Sequence, residues 1–399
     1  MLHGRDLGSF RKKLLAWFRQ YQRDLPWRRT KDPYRVWLSE IMLQQTRVAA
    51  VIPYYERFVA RFPDLRSLAT APQEEVLRFW SGLGYYSRAR NLQRAAQEIV
   101  ARHGGVFPRA HTDVLALSGI GDYTAAAILS IAYGAKHAVL DGNVARVLAR
   151  LFAIKGDLRE AGRWQKLQQA AGALLDRKSP GDWNQAMMEL GAMVCTPRSP
   201  RCLVCPVAQF CRARKLGIAE TLPARRRKPA TVEVTLAAAV IVDTHERTIL
   251  LKPQVEAAKN SKHDDVATLV SRMWHFPMIA LTESGTAELN QMLKGLAPNL
   301  VRADFVDTQP LRRVRHTVTY RRITVLPFRV RVAKLPRVPA AKVCPLEELA
   351  AASSLAISNL TRKIARTALA HEASKSTDVH AKPLESTLFT YNQSRQLAP

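Results

Sequence analysis

The 399-residue chain carries 61 Lys and Arg against 33 Asp and Glu, a formal net charge of +28 and an isoelectric point near 10.5. That imbalance favours a polyanionic partner, since each Lys or Arg set on a phosphate releases a condensed counterion, over generic solubility charge or a membrane-surface role. No apolar run approaches the ~18 residues of a spanning helix and the N-terminus lacks a signal-peptide core; the expectation is a cytoplasmic protein of two or three domains, without membrane association, that binds nucleic acid.

In chain order, an amphipathic helix around residues 14–18 leads to the turn Arg23-Asp24-Leu25-Pro26-Trp27-Arg28-Arg29. Asp32-Pro33 then supplies an N-cap and a proline at the first helical position. Tyr34, Trp37, Leu38, Ile41 and Met42 fall on one apolar stripe, with Glu40 off it. Continuing that helix would set Gln45 in its apolar face, so the helix is expected to break there. Gln44-Gln45-Thr46 becomes an exposed turn close to Glu40, and Thr46 caps the next helix. Helices are expected to about Phe62, with Pro63-Asp64 as a break, and again over residues 73–80. Gly82-Leu83-Gly84-Tyr85-Tyr86 is a glycine-hinged loop, and Arg88, Arg90 and Arg94 stud the helix after it.

Leu117-Ser118-Gly119-Ile120-Gly121-Asp122-Tyr123-Thr124 reads as a hairpin between short helices over 114–117, capped by Thr112 or Asp113, and 124–132. Gly119 and Gly121 leave free amides at the second helix's N-terminus, which suits a phosphate better than a bare interhelical turn in so basic a chain. Asp141 precedes a helix over 144–152, and a helix over 184–193 leads to the cysteines. Residues 212–231, with Arg225-Arg226-Arg227-Lys228-Pro229, form a basic, extended linker. Beyond it the period shifts towards two: strands are expected over 232–242, 248–251 and 314–332, with helical patches over 287–296, 346–351 and 359–370. Residues 256–270 read as a polar insertion and 372–399 as a disordered tail. The fold class is therefore a mainly α N-terminal region, 1–211, followed by an α+β domain, 232–371.

Of five cysteines, four fall within seventeen residues as Cys195-x6-Cys202-x2-Cys205-x5-Cys211. Secreted disulfide scaffolds do not space cysteines so; a structural zinc or a cubane iron–sulfur cluster does, and the spacing leaves the two open. Asp141 is an obvious helix cap and Glu40 an ordinary helix glutamate when each is taken alone. Together they supply an acid and an anion for a glycosidic bond, which breaks through an oxocarbenium-like state. Glu40, between Trp37 and Leu43, is the one expected to be raised by desolvation. Gln45, Tyr85 and Tyr86 are candidate wedges for the gap left by an extruded nucleotide, although aromatics are more often core.

Leu25-Pro26-Trp27, Ser39-Glu40-Ile41-Met42-Leu43-Gln44-Gln45-Thr46, Gly82-Leu83-Gly84-Tyr85-Tyr86, the hairpin, Leu140-Asp141-Gly142-Asn143-Val144 and the cysteine spacing together resemble the adenine DNA glycosylase family, within the helix-hairpin-helix glycosylases that include endonuclease III. The resemblance implies a six-helix barrel plus an iron–sulfur helical domain, a [4Fe–4S] cluster on Cys195, Cys202, Cys205 and Cys211, and excision of adenine mispaired with 8-oxoguanine or guanine in double-stranded DNA. It implies that Glu40 protonates adenine, Asp141 stabilises the sugar cation, Asn143 holds the carboxylates, and Gln45 and Tyr85 wedge into the duplex. Trp27, Arg28, Leu43 and Gln185 would neighbour the adenine. Tyr123 stands where the endonuclease III relatives carry a lysine nucleophile, which implies a monofunctional enzyme. The second domain resembles that family's Nudix-like module through Trp274-His275-Phe276-Pro277, without the acidic helix of true Nudix hydrolases. Val318-Thr319-Tyr320 aligns with the family's Phe-Ser-His element, so Thr319 inherits the hydroxyl contact to the lesion. A monomer near the bacterial nucleoid is the accompanying expectation.

Overall fold

The computed structural model describes residues 2–224, 230–252, 270, 273–281, 292, 305–351 and 354–377. The chain divides into two compact units, Met1–Val232 with Ser354–Asn359, and Glu233–Ser353 with Leu360–Pro399. No helix among the described residues is long and apolar enough to cross a membrane.

The first unit is helical: α1 (Gly4–Tyr21), a 3-10 turn (Pro26–Arg28), α2 (Pro33–Leu43), α3 (Val48–Arg61), α4 (Leu65–Thr70), α5 (Gln73–Trp80), α6 (Ser87–His103), α7 (His111–Leu115), α8 (Asp122–Tyr133), α9 (Gly142–Leu151), α10 (Ala161–Leu174), α11 (Pro180–Met193) and α12 (Arg212–Lys215). α2 starts as its sequence demands, with Asp32 accepting from the Tyr34 amide and Pro33 at the first position. It ends at Leu43, and Gln45 takes a left-handed backbone, φ +56°. Thr46 does not cap the next helix: α3 begins at Val48 behind Arg47, and the Thr46 hydroxyl turns back to the Gln44 carbonyl. Asp64 is more than a break, since it forms a reciprocal capping box with Ser67 and starts α4. Neither Thr112 nor Asp113 caps α7, which begins at His111 behind Ala110. α10 is a helix the sequence reading did not include, although Leu167, Ala170, Ala171 and Leu174, at i, i+3, i+4 and i+7, bury one of its faces.

One core cluster joins α1, α8, α9, α10 and α11 through Phe10, Phe18, Ala127, Leu148, Leu167, Trp183 and Leu190. It fixes α8, α9 and α11, the helices that bear Tyr123, Asn143 and Gln185. The segment after Cys211 is not extended at first: α12 and the following turn bury Ala213, Ala219 and Leu222, packed against Ala153 and Cys202. Residues 225–229 lie outside the described residues.

In the second unit β1 (Val232–Val242), β2 (Arg247–Leu250), β3 (Met278–Ala280), β4 (Phe305–Pro310), β5 (Val314–Val318), β6 (Arg321–Val332) and β7 (Lys342–Pro345) form, among the described residues, one sheet of order β4-β6-β1-β2-β7. In it β3 pairs with β1, and β5 with β6. α13 (Leu346–Ala350) and α14 (Asn359–Thr377) accompany it. The stretch 314–332, expected as strand throughout, is a hairpin turning at Thr319, φ +55°, with Val318 opposite Arg321. α14 runs to Thr377, so residues 372–377 are helix and not tail. The expected insertion (bar buried Val270), the patch over 287–296 (bar Met292) and residues 378–399 lie outside the described residues.

Candidate active site and cysteine loop

A cavity of about 340 Å³ opens in the first unit, lined by Trp27, Arg28, Glu40, Leu43, Gln45, Tyr123, Asp141, Asn143 and Gln185 among others. Nine of the residues singled out from sequence therefore meet in one place. α2 brings Glu40, and α8 brings Tyr123, whose hydroxyl donates to Glu40 Oε2 at 2.6 Å and touches Met188 Sδ at 3.2 Å. Glu40 is 6 % exposed and not a surface helix glutamate. Burial raises its carboxyl to about 7; the Tyr123 hydrogen bond opposes the rise, the nearby Asp141 charge adds to it, and Arg28 opposes it.

Asp141 caps α9, accepting from the Val144 amide at 2.7 Å through one oxygen, while the other accepts from Asn143 Nδ2 at 3.0 Å. Burial raises Asp141 as well, and those hydrogen bonds hold the rise back. The strand-like stretch before it is pinned by buried Asn184, which accepts from the Val139 amide at 3.1 Å and donates to the His137 carbonyl at 2.8 Å. One cavity thus presents a proton-bearing carboxyl and a second carboxyl fastened by its neighbours.

Glu189 was missed from sequence, although it lies one helical turn beyond Gln185 on the same face of α11. It accepts from Arg23 at 2.6 Å and Arg28 at 2.9 Å. Burial raises its carboxyl, but the hydrogen bonds from Arg23 and Arg28 outweigh burial and hold it at about 2.

The remaining candidates divide. Gln45, Tyr85 and Gly119 border a second cavity, of about 240 Å³. Tyr85 is 40 % exposed with φ +49°, whereas Tyr86 is buried and its hydroxyl accepts from the Gly82 amide, which removes it as a wedge. Gly119 has φ +78°, and a Cβ there would sit 2.7 Å from Asn91 Cβ, so only glycine fits. Gly121 occupies the cap position of α8. The hairpin is anchored from α6 by Glu98, which accepts from the Ser118 amide and hydroxyl at 3.0 and 2.7 Å. Arg88 points inward, unlike the surface stud expected of it. Thr319 belongs to the second unit, on the β5–β6 turn.

All four clustered cysteines, none in a disulfide, line one further cavity. Four cysteine sulfurs around one cavity are a donor set that fits a cubane iron–sulfur cluster. Buried Arg150 donates to Cys195 Sγ at 3.3 Å and to the Thr196 carbonyl at 2.7 Å. Arg146 donates to the Cys195 carbonyl at 2.8 Å and to Asn143 Oδ1 at 2.8 Å. Two buried guanidinium groups against the loop favour an anionic occupant. Through Arg146 and Asn143 the loop is also tied to Asp141.

The HhH-GPD superfamily of base excision DNA repair proteins matches residues 38–170, and the iron–sulfur binding domain of endonuclease III matches residues 195–211. These define the class, a helix-hairpin-helix base-excision repair protein whose cofactor is a [4Fe–4S] cluster. Human adenine DNA glycosylase is 50% identical over 219 residues, 53% of this chain and 40% of that protein. Adenine DNA glycosylase of Buchnera aphidicola subsp. Acyrthosiphon pisum is 38% identical over 248 residues, 62% of this chain and 70% of that protein. The chain belongs to the adenine DNA glycosylase family. It spans 40–42% of the length of the mammalian relatives it matches. A solved thermostable thymine-DNA glycosylase is 29% identical with a TM-score of 0.49, covering 53% of this chain and 98% of that one.

Proposed function

We propose that the chain is a monofunctional glycosylase that hydrolyses the N-glycosidic bond of adenine mispaired with 8-oxoguanine or guanine in duplex DNA. The observation that carries this reading is the shared cavity in which Glu40 is raised to about 7 while Asp141 keeps three polar neighbours. Glu40, protonated at neutral pH in a large fraction of molecules, gives its proton to the departing adenine at N7. Asp141, ionised, stabilises the cationic sugar and directs water to it, with Asn143 holding its second oxygen. Tyr123 orients Glu40 Oε2 and, being a phenol, forms no imine, so strand cleavage is weak or absent. Trp27, Arg28, Leu43 and Gln185 surround the base, Gln45 and Tyr85 fill the gap it leaves, and the amides behind Gly119 and Gly121 take a phosphate.

Cys195, Cys202, Cys205 and Cys211 hold the cluster, which with four thiolates has no open coordination position and supplies structural cohesion to the loop. Residues 1–211 form the catalytic region and 232–371 a Nudix-like lesion-reading module, in which the exposed Thr319 hydroxyl meets the 8-oxoguanine. The protein acts as a monomer. The test is base release from duplexes carrying A opposite 8-oxoguanine, G, C or T, with and without alkali. Glu40→Gln and Asp141→Asn should each abolish adenine release with DNA binding retained; turnover preserved in both would defeat the reading.

A further inference from the structure

Arg88 takes no part in that chemistry, yet its guanidinium is among the most extensively bonded groups beside it. The side chain opens α6 and is 8 % exposed. Nη1 donates to the carbonyls of Ile41 at 2.9 Å, Met42 at 2.8 Å and Gln44 at 2.6 Å. Nη2 donates to Thr46 Oγ1 at 3.2 Å and to the Gly84 carbonyl at 3.1 Å, and Nε reaches the Tyr85 carbonyl at 3.4 Å. The Tyr85 ring centre lies 5.2 Å from the guanidinium carbon. The Ile41 and Met42 carbonyls belong to the last turn of α2, where backbone acceptors have no partner within the helix and the helix dipole is negative. Arg88 therefore serves as the C-terminal cap of the helix that carries Glu40, supplied from another helix. Burial lowers its pKa to about 10, which leaves it cationic at neutral pH.

The same guanidinium brackets two non-glycine residues with left-handed backbones, Gln45 at φ +56° and Tyr85 at φ +49°. Both are exposed, and they border one cavity. Strained backbone of this kind persists only where its surroundings over-determine it, and here Arg88 bonds Gln44 and Thr46 on either side of Gln45, and Gly84 and the carbonyl of Tyr85 itself. We propose that Arg88 is a positioning residue that locks Gln45, Tyr85 and the C-terminus of the Glu40 helix into one rigid unit, so that opening the duplex and presenting the acid are coupled. The inference rests on the glycosylase reading and adds to it how two separate loops act together. Five donors in a planar fork are needed; a lysine ammonium has three donors and no fork.

The experiment compares wild type, Arg88→Lys and Arg88→Met on two duplexes, adenine opposite 8-oxoguanine and adenine opposite an abasic analogue, where no pairing has to be broken. It also follows 2-aminopurine fluorescence at the target position, with circular dichroism and cluster absorbance as folding controls. Both variants should lose about a hundredfold in release from the paired duplex, the scale expected of a displaced catalytic assembly. Both should lose less on the unpaired one, where the end of the Glu40 helix is loosened but no pair has to be opened, and both should lose the fluorescence rise that reports extrusion. Equal losses on both duplexes, or a wild-type rise in either variant, would overturn the proposal. Wild type releasing adenine from neither duplex would instead sink the glycosylase reading, and the fluorescence comparison alone would then decide the role of Arg88.

Discussion

Two buried glutamates face the same cavity and end in opposite states. Glu40 has one hydroxyl partner and a neighbouring carboxylate, and is held at about 7. Glu189, 1 % exposed, is clasped by two guanidinium groups and is held at about 2. Burial pushes both upward; the partners decide which stays charged. The contrast leaves one able to carry a proton near neutral pH and the other an anion bonded to Arg23 and Arg28.

The contrast also sets opposite dependences of stability on pH. Glu40 has a folded pKa above its ordinary 4.5, so its contribution is complete below about pH 4.5 and is lost as pH rises to about 7. Glu189 has a folded pKa below 4.5, so its contribution is present above about pH 4.5 and is lost as pH falls to about 2. Each amounts to about 3 kcal/mol.

The largest effect expected is for Glu40→Gln. Adenine release in single turnover should fall about a thousandfold, while denaturant unfolding at pH 8 shows a variant more stable than wild type by up to about 3 kcal/mol. A destabilised variant at pH 8 would break the contrast. Glu189→Gln should do the reverse, losing about 3–5 kcal/mol at neutral pH because two guanidinium groups remain without their anion. Its stability should also lose most of the dependence on pH between 4.5 and 2, measured by the same unfolding series. Tyr123→Phe sharpens the contrast with the smallest effect. Its hydroxyl favours the ionised form of Glu40, so its removal should shift the alkaline limb of the rate profile up by about one pH unit; an unmoved or lowered limb would count against Tyr123 as a partner of Glu40.

The helical half was legible in places where local chemistry is complete within a few residues. Asp32-Pro33 announces α2, Gly119 announces the hairpin, and Asp141 announces α9. The cysteine spacing announced a zinc or iron–sulfur site, without deciding between them, for the same reason. Starts that lack side-chain caps, at Val48 and His111, were misplaced, because they are held by packing and not by local bonds. Arg88 could not be read as buried, since three of its acceptors are backbone carbonyls over forty residues earlier in the chain. Glu189 carried only its spacing from Gln185, and nothing local marks which helix glutamate will be enclosed by arginines.

The residue types able to hold a cluster, grip a phosphate and move a proton were determined by the chain itself, as was the order in which they occur, because those capacities belong to side chains and short turns. The protonation state of each carboxyl was left to the tertiary structure. A pKa follows from desolvation and from charges within a few ångströms, and only the packing of α2 against α8 and of α11 against α9 sets which charges those are.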